Sequence, residues 1–163
     1  MKDTILFGDC RETLSAFIDK AQMCVTSPPY YGLRNYGGED KQIGQEDTPE
    51  EYIQNLVSVF RSVRDTLTDD GTLWLNIGDS YYNYRPGKGQ SLVKQTVSAT
   101  KQDLPDKCAR RGNKLEGLKE KDLIGIPWML AFALRADGWY LRQDIIWHKP
   151  NPMPESVRDR CTK

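Results

Sequence analysis

The sequence predicts an α/β fold with a largely parallel sheet and helices on its faces. Three observations carry this. Short apolar runs of strand length alternate with segments whose apolar residues recur at helical spacing. The run Thr72 to Ile77 is apolar enough to be buried on both faces, as strands of parallel sheets are. Asp-Gly pairs at 70–71 and 137–138 each separate a helical segment from the strand after it. A chain of 163 residues has the length of one domain.

Taken in order, Thr4 to Phe7 reads as a strand. Arg11 to Lys20 reads as a helix, with Leu14, Phe17 and Ile18 at helical spacing. Met23 to Thr26 is a short strand, and residues 31 to 48, with four glycines, are a polar loop. Thr48 can cap a helix that has Pro49 at its first position and Glu50 and Glu51 in its first turn. That helix runs to about Leu67, with Ile53, Leu56, Val57, Phe60 and Val63 on one face. The strand Thr72 to Ile77 follows. Pro127 opens a helix over Ile126 to Ala136, which Asp137-Gly138 stops, and Trp139 to Trp147 is a long strand.

The 23 basic and 23 acidic residues balance, but they are segregated. Residues 1 to 79 hold 7 basic and 14 acidic residues; residues 80 to 121 hold 10 basic and 4 acidic. That second segment has four glycines, two prolines and few large apolar residues, and reads as a mobile insertion. It is either a solvated loop or a DNA contact. In the second case Arg85, Lys88, Lys94, Lys101, Lys107, Arg110, Arg111 and Lys114 meet phosphates, with Tyr81, Tyr82 and Tyr84 near for stacking. Cys10, Cys24, Cys108 and Cys161 are widely spaced, and His148 is the single histidine, so no zinc site is expected. No apolar run reaches membrane length, and the N-terminus does not read as a signal peptide, so a cytoplasmic protein with reduced thiols is expected.

Thr26-Ser27-Pro28-Pro29-Tyr30 follows the apolar run Met23-Cys24-Val25. Each proline fixes its own φ and lacks an N–H, and each restricts the residue before it. The result is a stiff loop at a strand's C-terminal end, offering the Ser27 carbonyl and hydroxyl, the Pro28 carbonyl and the Tyr30 ring. Such a loop suits a flat group bearing an amine: the oxygens accept its N–H bonds and the ring stacks on its plane. An ordinary strand-to-loop turn is the other reading of these residues.

Ser27-Pro28-Pro29-Tyr30 resembles the catalytic motif of the DNA amino-methyltransferases, and other segments agree in order. Ile5 to Cys10, reading ILFGDC, resembles the strand and acid that precede the catalytic strand. Gly71 to Asp79, reading GTLWLNIGD, resembles the next core strand, and Trp139 to Pro154 resembles the late strand and loop near the target base. The resemblance implies a partial Rossmann-like fold, permuted to start with the catalytic half. It implies methyl transfer from S-adenosylmethionine, without a metal, to the exocyclic amine of a base flipped out of double-stranded DNA. The Ser27 side chain and the Pro28 carbonyl would accept from the amine, with Pro29 stiffening the loop and Tyr30 stacking on the base. Asp9, Cys10, Thr26 and Ser27 would face the cofactor, although Asp9 also reads as a plain helix cap. Tyr31, Trp147, Lys149 and Asn151 would shape the base pocket, and Arg110, Arg111 and Lys114 would hold DNA. Cys24 reads as packing and His148 as a surface or packing residue. Serine before Pro-Pro-Tyr tilts the base towards cytosine N4, with adenine N6 the alternative. The resemblance implies a cytoplasmic enzyme of a bacterium, archaeon or phage.

The family's glycine-rich cofactor turn, commonly Asp-Pro-Phe-x-Gly-x-Gly, does not occur in the 163 residues. The chain therefore reads as a single incomplete catalytic domain, inactive alone, that is completed by a C-terminal half or pairs with a second copy. An inactive remnant that binds DNA or another protein is the competing expectation.

Overall fold

The computed structural model describes residues 5–17, 19–33, 42–82, 115–152, 158, 160 and 161. Five elements follow one another: helix α1 (Cys10–Thr13), strand β1 (Ala21–Thr26), helix α2 (Pro49–Thr66), strand β2 (Leu67–Leu75) and helix α3 (Ile126–Ala136). The fold is α/β. β1 and β2 are parallel neighbours joined through α2, which makes a βαβ unit.

α2 forms because its ends are closed. The Thr48 hydroxyl accepts from the Glu51 N–H, and the Glu51 carboxylate accepts from the Thr48 N–H, at 3.2 and 3.3 Å. Its buried stripe is Tyr52, Ile53, Leu56, Val59, Phe60 and Val63. This face meets Ile126, Leu130 and Leu134 of α3, and the two helices form the core with Tyr31 and Leu67. Cys24, Leu73 and Leu75 of the sheet pack against the same cluster.

α3 has no capping side chain of its own: Gly125 precedes it with φ +90°, in the left-handed region. Asp79 supplies the cap from the end of β2. Its carboxylate accepts from the N–H groups of Gly125 and Ile126, each at 3.0 Å. At the other end Asp137 is held by Arg61 and Arg64 of α2.

Four sequence expectations change. α1 is four residues long rather than spanning Arg11 to Lys20. The Ser15 hydroxyl bonds the Glu12 carbonyl at 2.6 Å, and the chain turns over Leu14 to Ala16 instead of continuing the helix. Ile18 lies outside the described residues. β2 starts at Leu67 rather than Thr72, but regular pairing with β1 resumes only at Met23 with Thr72. Thr68 to Gly71 oppose Gln22 alone, so Asp70-Gly71 sits in an irregularity.

β2 is also not buried on both faces. Paired residues of parallel strands share a face, and Met23 and Val25 of β1 lie on the face of Trp74. These three are 57%, 70% and 48% exposed, because no helix among the described residues covers that face. Finally, neither Ile5 to Phe7 nor Trp139 to Trp147 is a strand. Thr4 lies outside the described residues. Strand backbone needs a neighbour to take its N–H and C=O groups. The only described sheet has two strands, and neither segment pairs with it. Both leave large apolar side chains exposed, among them Phe7, Tyr140, Ile146 and Trp147.

The Asp137 contacts give the stability a pH dependence. The hydrogen bond from Arg61 holds the Asp137 carboxyl below its ordinary value. A lowered folded value means that the contribution is complete above the unfolded value and lost as pH falls through the folded one. Asp137→Asn should therefore lower the urea midpoint at neutral pH, and the gap to wild type should close below about pH 4. Equal midpoints at neutral pH would remove Asp137 from the forces joining α2 to α3.

Candidate functional site

The loop after β1 is fixed from several sides. Asn76, just past β2, donates its N–H to the Thr26 carbonyl at 2.9 Å, which extends the ladder to the strand's last residue. The fully buried Tyr52 of α2 donates its hydroxyl to the Pro29 carbonyl at 2.8 Å. The Tyr30 carbonyl accepts from the Leu33 N–H at 3.3 Å, and the Tyr31 carbonyl accepts from the Ser80 hydroxyl at 3.0 Å. No described residue donates to the Ser27 or Pro28 carbonyl. The Ser27 hydroxyl reaches the Tyr30 hydroxyl at 3.5 Å, the outer limit of a hydrogen bond. Ser27 is exposed, and Pro28, Pro29 and Tyr30 are half-buried.

Two glycines make room for the loop. A Cβ at Gly78 would stand 2.8 Å from Cε2 of Tyr30, so the ring lies directly on the glycine backbone. A Cβ at Gly44 would stand 3.0 Å from the Tyr30 carbonyl oxygen and 3.3 Å from that of Pro29. Gly44 also has φ +91°, which disfavours any side chain there. The Glu46 carboxylate holds Gly44 in place, accepting its N–H at 2.8 Å and the Asn55 side-chain amide at 2.9 Å.

The other candidates are placed as follows. Tyr31 is buried, its ring 5.4 Å from that of Tyr52 and its hydroxyl on the Asp47 carbonyl, so it belongs to the core rather than to an open pocket. Asp9 caps α1 through the Arg11 N–H, and its carboxylate also takes the Arg11 guanidinium. Asp9 and Cys10 are exposed, and no described hydrogen bond joins them to Thr26 or Ser27. A committed carboxylate, a thiol and two hydroxyls do not form a cradle for a nucleoside sulfonium, so the four residues do not fit that group by themselves. Trp147, Lys149 and Asn151 are exposed, with no described hydrogen bond to the Ser27–Tyr30 loop. Arg110, Arg111 and Lys114 lie outside the described residues, as do Tyr84, Arg85, Lys88, Lys94, Lys101, Lys107 and Cys108. Cys24 is half-buried against the core, and burial pushes its thiol up, away from nucleophilic chemistry. His148 is exposed. Asp79 is engaged by α3. Among the described residues no three His, Cys, Asp or Glu side chains are placed to hold a metal, and no helix is long and apolar enough to cross a membrane.

Sequence reasoning missed the residues that hold the loop: Tyr52, Gly44, Gly78 and Ser80. Tyr52 carried a signal, because it precedes Leu56 by four on the apolar stripe of α2 and a buried tyrosine needs an acceptor for its hydroxyl. The glycines carried none beyond their identity, since their contacts are made across long chain separations.

Tyr30 and Gly78 can be tested as a pair. Gly78→Ala should cost about 1–3 kcal/mol by overpacking. Urea denaturation should show most of that cost vanish in a Tyr30→Ala background. An unchanged cost there would place the clash elsewhere.

Comparison with known proteins bears on the same residues. The family model for N6/N4 DNA methylases matches residues 21–163. The type II methyltransferase M.SmaI of Serratia marcescens is 53% identical across 98% of this chain and 52% of its own length. M.Cfr9I of Citrobacter freundii is 49% identical across 98% of the chain and 51% of its own length. M.XycI of Xanthomonas campestris pv. cyanopsidis is 49% identical across 96% and 50%. The chain thus spans about half the length of these curated relatives. No solved structure matches it.

Proposed function

This chain belongs to the N6/N4 DNA methylase family, and from that premise we propose that it is the catalytic, base-binding half of a DNA methyltransferase of the type II kind. The target is the exocyclic amine of a base, cytosine N4 in first place. The observation that carries the reading is the loop at the end of β1. Its carbonyls at Thr26, Pro29, Tyr30 and Tyr31 are tied, and those of Ser27 and Pro28 are left to an incoming donor.

The chemistry follows from that arrangement. The lone pair of an exocyclic amine is delocalised into the ring, so the nitrogen is a weak nucleophile. Acceptors at Ser27 and Pro28 on its N–H bonds would make it more tetrahedral and stabilise the positive charge it gains as the methyl passes to it. The methyl–sulfur bond of the donor breaks to leave a neutral thioether, and one N–H proton of the amine then leaves to solvent. Fixed dipoles do this without reorganising at the moment of reaction. The base must leave the duplex to reach them. The half-buried Tyr30 ring would stack on it, with Gly78 packed against the ring. The methyl donor is S-adenosylmethionine, as substrate. Asp9, Cys10, Thr26 and Ser27 would contribute to its site, but they do not form a cradle for it by themselves. Trp147, Lys149 and Asn151 bound the base pocket, and the basic residues of 80–121, Arg110, Arg111 and Lys114 among them, meet DNA phosphates.

Serine before Pro-Pro-Tyr favours cytosine. DNA modified by a full-length form should, after digestion to nucleosides, contain N4-methylcytosine by mass spectrometry. N6-methyladenine without N4-methylcytosine would reject the base and keep the reaction. Neither modified base would reject the methyltransferase reading.

The uncovered sheet face of Met23, Val25 and Trp74, with the unpaired segments at 5–7 and 139–147, fits a complementing α/β half. The length of the relatives beyond the matched region is enough to supply one. Calorimetry with S-adenosylmethionine should show no micromolar binding by residues 1–163 alone, and binding once the second half of a relative is added as a separate polypeptide. Micromolar binding by the chain alone would show that Asp9, Ser27 and their neighbours suffice.

A further inference from the structure

The geometry points to Tyr52 as a positioning residue that decides which carbonyls of the Ser27–Tyr30 loop face the substrate amine. This rests on the methyltransferase reading and deepens it. Pro28 and Pro29 have no N–H, so backbone donors cannot hold the middle of the loop. It can be held there only through its carbonyl oxygens. Along five successive linkages, Thr26 is taken by the Asn76 N–H, Pro29 by Tyr52, and Tyr30 by the Leu33 N–H. Ser27 and Pro28 remain between them.

The Tyr52 bond is the one made by a side chain from outside the loop and its strand, across 23 residues of sequence. Its donor is fully buried, so no water can replace it, and burial raises the phenol well above its ordinary value, which keeps it protonated at any working pH. The same helix grips the loop a second time. Asn55 holds Glu46, Glu46 holds the Gly44 N–H, and the Gly44 backbone lies against the Pro29 and Tyr30 oxygens. With Pro29 pinned from α2 and Thr26 from the end of β2, the two linkages between them have little freedom to rotate. Without Tyr52 the Pro29 carbonyl is a competing acceptor and the Pro28 carbonyl loses its fixed direction.

The test has two arms. In the 163-residue chain, Tyr52→Phe should move the 13C resonance of the Pro29 carbonyl upfield. It should also speed hydrogen exchange of the Gly32 and Leu33 amides, which donate to the Gly44 and Tyr30 carbonyls, by about 5- to 10-fold, the worth of one hydrogen bond, and leave the β1 and β2 amides unchanged. In the enzyme completed with a relative's second half, the same substitution should lower kcat by about 10-fold or more, with KM for DNA and for the methyl donor within about 2-fold. Val63→Ala, a core truncation on the same helix remote from the loop, should leave kcat unchanged although it lowers stability. An unmoved Pro29 resonance, or a kcat within about 2-fold of wild type, would overturn the assignment. If the completed wild-type enzyme transfers no methyl group, the methyltransferase reading fails, and the first arm alone decides whether Tyr52 holds the loop.

Discussion

Two consecutive prolines cannot hold themselves in place. They stiffen the chain at φ, but they remove the donors by which loops are usually tied down. Apart from the local bonds of the Ser27 hydroxyl and the Leu33 N–H to Tyr30, the contacts that orient Ser27 to Tyr30 come from elsewhere in the fold. Asn76 reaches from the end of β2, Tyr52 from α2, Gly44 from the preceding loop and Gly78 from under the Tyr30 ring. This is why the βαβ unit matters for function. α2 is the crossover that makes the two strands parallel, and it also carries the buried hydroxyl on which the loop depends. A slip of α2 along the sheet would be felt first at Pro29.

The sequence made much of this legible, for local reasons. The capping box at Thr48, Pro49 and the apolar stripe that follows are short-range signals, and α2 begins where they say. Pro127 and Asp137-Gly138 bracket α3 in the same way. The motif after β1 was legible because its residue types are rare together. What failed was non-local. Trp139 to Trp147 and Ile5 to Phe7 have the composition of strands, but a strand exists only beside another, and composition does not say whether the neighbour is there. The burial of β2 failed for the same reason: Trp74 belongs to a two-faced strand whose second face is bare. The role of Tyr52 is not legible locally, because its acceptor lies 23 residues earlier.

The sheet is covered on one side only. Parallel sheets are stable when helices cover both faces. Here α2 and α3 cover one face, and Met23, Val25 and Trp74 stand out on the other. Aromatic and branched side chains also stand out along 140–147. Exposed apolar patches of this kind mark surfaces that another body covers.

Three successive residues join the covered face of the sheet to its neighbours. Gly78 seats the Tyr30 ring, Asp79 caps α3, and Ser80 holds the Tyr31 carbonyl. Each acts on a different element, and together they join the end of β2 to the motif loop and to the second helix of the core. The Ser80 carbonyl adds a fourth link, accepting from the Ile124 N–H at 3.0 Å just ahead of α3. Capping a helix contributes about 1 kcal/mol on its own. The larger effect here is geometric, because the α3 N-terminus cannot move without moving Gly78, and Gly78 cannot move without shifting Tyr30. The motif loop is therefore tied to α3 through the end of β2 as well as to α2 through Tyr52.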